Sequence, residues 1–349
     1  MTDRPNKEKR GRPILRTAAI VVLAIFGLIV LFAEFIAPYD PAFQTRTLPS
    51  APQTLIHLRD RSGQLGLRPY IYRSELIDPI EGRFAEDNNA AYPIQLFVEG
   101  DQYTLLWLFP ARTHLFGVSS GPDAPRIHLL GTDALGRDRF SRLMIATKFS
   151  LIVTPLGALL AFLIGVFIGL ISGYSNRIVD TAIMGVSDTV LALPTLILIL
   201  AARAAFPLDL PPLRAAMLLV MIFALTGWAE IARLTRGLVR SIKEREYILA
   251  ARSIGLTEAR ILFRHILPNA AGPLLTQATI MLPYFLLSEV ALSFLGVGVQ
   301  EPQPSLGNML AAAADISQLQ RAPLLLLSPA LVIFIFVFAV RAAAGKVRE

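Results

Sequence analysis

Few side chains in this sequence stand where they could do covalent chemistry. It has no cysteine, which excludes thiolate nucleophiles, zinc–thiolate sites and disulfide frameworks. His57, His114 and His128 fall at spacings that match no metal motif, and neither H-E-x-x-H nor G-x-S-x-G occurs. The G-x-x-x-x-G-K-[ST] phosphate loop is missing too. Gly296-Val297-Gly298 lacks the third glycine and the strand–turn–helix setting of a nucleotide fingerprint. No metal, no cofactor and no membrane-embedded hydrolase is expected from this inventory.

The residues that are placed for a task form a helix–glycine–helix pattern. Glu246 to Ser253, with Ala250 and Ala251, are good helix formers, and Gly255 follows. Glycine leaves a helix in the left-handed backbone region without steric cost. Beyond Leu256, Thr257 can cap a second helix with Glu258 favourably placed in its first turn. That run passes His265 and is expected to end at Leu267-Pro268. Taken alone, the pair is also what a basic helix lying on solvent or lipid headgroups looks like.

The elements that must carry this pattern are membrane spans. Apolar residues make up 54% of the chain and charged residues 17%, against roughly 45–50% and about 25% in ordinary globular chains. Mean hydropathy is +0.55. Apolar runs at about Thr17–Ile36, Ser150–Ser172, Val186–Ala202, Leu213–Ile231, Leu274–Leu295 and Leu324–Val340 predict about six transmembrane helices in a helical integral membrane protein. The first run, behind Arg4 to Arg16, is too long for a signal-peptide core and reads as an uncleaved anchor. The net charge of +7 is placed for orientation rather than for nucleic acid. Basic residues from Arg233 to Arg264, in the leader and in the tail (Arg341, Lys346, Arg348) put both termini and a loop at 233–270 in the cytoplasm by the positive-inside rule. Residues 37–130 then form an extracytoplasmic insert, 131–340 the core and 341–349 a cytoplasmic tail.

Within the insert, short β-rich runs predict a small folded β-containing unit over about Leu48–Val118. A hairpin is expected to join Pro93–Val98 to Tyr103–Phe109 through Glu99-Gly100-Asp101, with Arg59–Gly63 and Ala85–Asn89 as solvated loops. In the second span Gly157, Ala161, Gly165, Gly169 and Gly173 recur every fourth residue and make one small-residue stripe, read as helix packing. Glu289 is the leading intramembrane polar candidate, read as a helix–helix hydrogen bond ahead of a substrate-amine contact. Asp188 and Glu230 lie nearer the membrane ends.

Glu246–Asn269, with Ala250, Ala251, Gly255, Leu267 and Pro268, resembles the "EAA" loop of ATP-binding-cassette importer permeases, with Leu249 where that motif has its first glutamate. His265 before Ile266-Leu267-Pro268-Asn269 is similar to the dipeptide/oligopeptide/nickel permease family. Gly131, Asp133, Gly136, Arg137 and Asp138 resemble that family's signature before the second span. Ser293, Phe294, Leu295 and Gly296, with Ser288-Glu289 ahead and Pro304–Gly307 behind, resemble its fifth-span signature. The tail lacks the acidic ending usual there, and the insert is longer than in compact members. The resemblance implies a permease subunit of a binding-protein-dependent importer in a bacterial inner membrane, most naturally for peptides. It also implies a homologous sister permease, two ATPase subunits that bind ATP and magnesium, and an extracytoplasmic binding protein. Gly255 with its neighbours, Ser253 included, would couple to the ATPase. A secondary transporter, or an importer of nickel or another small solute, is the alternative.

Overall fold

The computed structural model describes residues 7–59, 65–79, 81–106, 108–118, 124–314 and 323–344. Arg4, Asp60–Gly63, Trp107, Lys346 and Arg348, on which some expectations fell, lie outside them. The protein is mostly helical, with one small antiparallel sheet near its N-terminus. By contacts it divides into two compact units. The first comprises Met1–Ala24, Leu151–Leu292 and Ile333–Glu349, the second Ile25–Ser150 and Ser293–Val332.

Among the described residues four helices are long and apolar enough to cross a bilayer. They are the Ile14–Ile36 stretch of α1 (Lys7–Ile36), α2 (Arg139–Tyr174), α5 (Pro212–Lys243), and Glu258–Phe294, which includes α8 (Leu267–Phe294). A fifth is available if α3 (Arg177–Ala192) and α4 (Thr195–Ala204) count as one span, although they meet at an 89° bend. The run Val186–Ala202, expected to be continuous, breaks there because Pro194 follows Leu193, whose backbone is extended (φ −91, ψ 138). A residue before proline is sterically pushed out of the helical region. The last apolar run becomes α10 (Pro323–Leu326) and α11 (Ser328–Ala344), the latter 17 residues long and about 25 Å at helical rise. Two further expectations change. Arg233–Lys243 continue α5 rather than opening a loop, and the helix after Gly255 does not end at Pro268.

In the first unit, α2 lies against α5 through its small-residue stripe. A Cβ built on Gly157 would sit 2.8 Å from that of Phe223, on Gly165 2.5 Å from that of Ile231, on Gly169 2.5 Å from that of Thr235, and on Gly173 2.8 Å from that of Val239. Real side chains never approach so closely, so the backbones meet only because these Cβ atoms are absent. Ala161, fully buried, and Gly227 continue the contact toward α8, where Phe223 stacks on Phe285 at 4.7 Å between centroids.

The second unit holds the sheet, in order β1 (His57–Arg59), β2 (Leu65–Asp78), β3 (Arg83–Leu105) and β4 (Phe109–Val118). The expected hairpin is displaced. Pro93–Val98 and Tyr103–Leu105 belong to one strand, β3, and reversal occurs after Leu105, where the Leu108 amide donates to the Leu105 carbonyl at 3.1 Å. The Gly100-Asp101 pair is instead an irregularity between Glu99 and Tyr103, shaped by His114. The imidazole lies where a Gly100 Cβ would reach, with Nδ1 2.5 Å from the Ala37 carbonyl and Nε2 3.0 Å from that of Asp101. Ala85–Asp87, expected to loop, pair with Glu75–Arg73 of β2. An apolar turn and a bulged polar strand invert the usual hydropathy cue.

Candidate functional site

The helix–glycine–helix element is built as follows. α6 (Glu246–Ser253) closes with Gly255 at φ +83. The Gly255 amide donates to the Arg252 carbonyl at 2.9 Å and the Leu256 amide to that of Ala251 at 3.1 Å. This is the paired 5→2 and 6→1 bonding of a Schellman end, which needs a left-handed residue at the position Gly255 holds. Thr257 then caps α7 (Glu258–Ile261), its hydroxyl accepting from the Arg260 amide at 3.4 Å. Pro268 has no N–H for the carbonyl four residues back. The ladder widens instead of stopping: Leu262–Ile266 form a π turn, the Leu267 amide donates to the Leu262 carbonyl, and α8 continues. The Asn269 side chain donates to the His265 carbonyl at 2.6 Å.

One face of this element is seated on α5. Ile248 and Ala251 of α6, Ile261, Ile266, Ala270 and Leu274 form a buried cluster with Val239 and Ile242 of α5. Three fully buried isoleucines contribute about 1.5–3 kcal/mol each. The Arg252–Glu258 pair bridging the turn, at 2.7 and 3.2 Å, is solvent-accessible and worth about 0–1 kcal/mol. Apolar seating therefore sets the position of the turn, and the ion pair trims it. The other face is apolar and uncovered: Leu249 is 50%, Ile254 79% and Phe263 69% exposed. Ala250, Ser253, Gly255, Thr257 and Pro268 are exposed beside them; Leu256, His265 and Leu267 are half-buried.

A charge centre that sequence reading missed lies at the same end of α5. Asp180 of α3, 4% exposed, accepts from Arg236 Nε and Nη2 at 2.5 and 2.6 Å, from Arg240 Nη2 at 2.6 Å, and from the Ser172 hydroxyl of α2 at 2.5 Å. Lys243 Nζ donates to the Gly173 carbonyl at 3.2 Å. The one local signal is the i, i+4 spacing of Arg236 and Arg240, which in sequence reads equally as orientation charge. Asp188 pairs with Arg233 at the surface, and Glu230 accepts from Gln277 at 2.6 Å.

The first signature folds into a tight loop ahead of α2, with Gly131 and Gly136 both at positive φ (+67 and +75). Asp133 accepts from the Leu135 and Arg137 amides at 2.9 Å and from Arg137 Nε at 2.6 Å. Arg137 also donates to Glu301 at 2.6 Å, as does Arg142 at 2.8 Å. Burial alone would lower the Arg137 pKa, but the hydrogen bonds to Glu301 and Asp133 outweigh it and the net shift is upward. Asp138 accepts from the Ser141 amide at 2.7 Å, at the start of α2, and is 2.8 Å from His128 Nδ1. Glu301 was not singled out by sequence reading, because its partners lie far back in the chain.

The second signature ends α8. Ser293 is buried, Phe294 and Leu295 are exposed, and Gly296 at φ +74 turns the chain, its amide donating to the Ser293 carbonyl at 3.2 Å. Glu289 is fully buried within α8 and is not without a partner.

Residues 165–347, just over half of the chain, match the family described as binding-protein-dependent transport system inner membrane component. The oligopeptide transport system permease protein OppC of Bacillus subtilis (strain 168) is 33% identical over 237 residues, covering 68% of this chain and 74% of that protein. The dipeptide transport system permease protein DppC of Alkalihalophilus pseudofirmus is 35% identical over 229 residues, covering 66% and 72%. Among solved structures, an amino acid ABC transporter aligns at 18% identity with a TM-score of 0.45 over 58% of this chain and 91% of that one.

Proposed function

This chain belongs to the family of binding-protein-dependent transport system inner membrane components, and from that premise we propose that it forms half of the membrane path of a peptide importer. It is a multi-pass permease subunit, and in such importers ATP hydrolysis resides in separate ATPase subunits. The peptide reading rests on the relatives, which are named for oligopeptides and dipeptides. In this proposal a homologous permease completes the path, two ATPase subunits bind ATP and magnesium, and an extracytoplasmic protein delivers substrate. The bent pair α3–α4 and the short α11 complete six spans with both termini cytoplasmic, and residues 37–130 lie outside.

The observation that carries the coupling role is the uncovered apolar face around Gly255. Leu249, Ile254 and Phe263 project from an element whose opposite face is locked to α5. A rigidly seated knob with an apolar tip can transmit rigid-body motion from a cleft in a partner to the bundle. Proteoliposomes of the purified assembly test the reading. Uptake of a labelled dipeptide that requires ATP and the binding protein supports it, whereas uptake driven by an ion gradient without ATP would mark a secondary transporter.

A further inference from the structure

A small, partly open cavity in the second unit is lined by Asp133, Arg137, Arg139, Arg142 and Glu301 on its charged side and by Asn308, Met309, Ala312, Leu326 and Pro329 on the other. Its charges do not balance: three guanidinium groups face two carboxylates. Asp133 is taken by Arg137 and, at 3.8 Å, by Arg142, and Glu301 by the same two arginines. Arg142 also reaches the Pro41 and Pro302 carbonyls, at 3.3 and 3.4 Å. Asn308 is held by its own turn, its oxygen accepting from the Ser305 amide and its nitrogen donating to the Gln303 carbonyl.

Arg139 is left over. It is 8% exposed and lines the cavity, yet no described residue forms a hydrogen bond or ion pair with its guanidinium. The Asp133 carboxylate acts on its charge from a distance, but buried charges are ordinarily paired directly. The amides at the start of α2 do not change this: those of Arg139, Ser141 and Arg142 are bonded to Gly131 and Asp138. The guanidinium donors left open to the cavity are those of one planar fork, which suits two oxygens of a carboxylate or phosphate. The cavity, about 60 Å³, exceeds the roughly 10–15 Å³ that one water needs, so it admits the head of an anion but not a whole peptide.

We propose that this cavity is an oxyanion site in which Arg139 binds the carboxylate or phosphate head of a small anion or a lipid, with Arg137 and Arg142 held in place by Asp133 and Glu301. The proposal does not depend on which substrate is imported. Arg139 acts as the ligand; Arg137 and Arg142 supply positive field.

The test uses the importer purified through this chain in a phospholipid-free, non-ionic detergent. It is titrated separately with sodium phosphate, sodium acetate and phosphatidylglycerol, with ionic strength held by chloride and phosphatidylcholine as the lipid control, while unfolding temperature is followed. At least one probe should raise that temperature saturably. The rise should be at least halved in Arg139→Gln, retained in part in Arg139→Lys, and unchanged in Arg214→Gln, which alters an exposed arginine elsewhere. A response to phosphate or acetate assigns a soluble anion; a response to phosphatidylglycerol alone assigns a lipid headgroup. Ala312→Leu, which fills the cavity and removes no charge, should blunt the response as well and carries the test if Arg139→Gln accumulates poorly. No saturable rise with any of the three probes, or an equal rise in wild type and in whichever of these two variants is measured, would overturn the site.

Discussion

Arg236 grips Asp180 with both Nε and Nη2, at 2.5 and 2.6 Å, and so ties α3 to α5 one turn from where Val239 enters the apolar seat of the helix–glycine–helix element. Arg240 and Ser172 complete the coordination of the same carboxylate. Asp180 is buried but the arginines it holds are 28% and 42% exposed, so its loss strands no buried charge and costs less than the roughly 3–5 kcal/mol of a fully buried pair. Asp180→Ala should therefore lower the unfolding temperature of the purified importer measurably. Arg240→Gln, which leaves Arg236 in place, should be mild. Equal tolerance of both in a thermal-unfolding assay would show that the cluster is not structural.

The α2 stripe permits an internal control. Gly169→Leu drives a side chain into Ala232 and Thr235, whereas Gly185 and Gly237 have open space where a Cβ would go. Overpacking costs typically about 1–3 kcal/mol. Gly169→Leu should reduce assembled importer several-fold on a native gel, and Gly185→Ala and Gly237→Ala should match wild type. Indifference to Gly169→Leu would mean that α2 and α5 do not pack closely.

Glu289 is fully buried, and a buried group that loses its partner costs about 1–3 kcal/mol. Glu289→Gln, which keeps hydrogen-bonding capacity, should retain assembly and uptake; Glu289→Leu should lose assembly. If Glu289→Gln alone abolished uptake of cationic peptides with assembly intact, a substrate-amine contact would replace the helix-packing role.

The insert offers a clean deletion only if its connecting strap is kept. Ser50 donates to the Asp133 carbonyl, Ala51 to the Thr132 hydroxyl and Thr54 to the His128 carbonyl, at 2.8–2.9 Å, so these residues brace the signature loop. Replacing residues 57–118 with a short Gly/Ser linker should leave membrane insertion intact and cut uptake at least several-fold. Uptake equal to wild type at equal expression would show that the sheet has no part in docking the binding protein or the sister permease.

The long helices were legible in the sequence because 20-residue apolar runs have few other readings, and Gly255 was legible because a glycine between two helix-forming runs marks a left-handed turn. What was not legible depended on distant partners. Pro268 was expected to end a helix, yet the π turn at Leu262–Ile266 absorbs it. Pro194 was passed over inside an apolar run, although its local geometry bends the chain. Gly100 looked like a hairpin turn because nothing local announces that His114 fills the space opposite it. Asp180 and Glu301 gain meaning only from residues they meet across the fold, and Arg139 only from the cavity it lines. The motif signatures mark Asp133 and Arg137 without revealing Glu301, the carboxylate that joins Arg137 to Arg142.

In the importer proposed above, the Gly255 turn is the contact through which ATP hydrolysis moves this chain. No Cβ contact lies within 4 Å of Gly255, so Gly255→Val should act through the backbone alone. Its cost is about 1–3 kcal/mol, the typical strain of a non-glycine residue at positive φ. The variant should insert and assemble, yet lose substrate-stimulated ATP hydrolysis and uptake together. The most direct measurement is crosslinking from single cysteines, since the chain has none of its own. Ser253→Cys and Thr257→Cys, both at exposed positions, should crosslink to the ATPase subunit in the assembled importer, with a yield that changes on adding ATP. Crosslinks to the extracytoplasmic binding protein, or none to the ATPase in an assembly that still hydrolyses ATP on demand, would contradict the account.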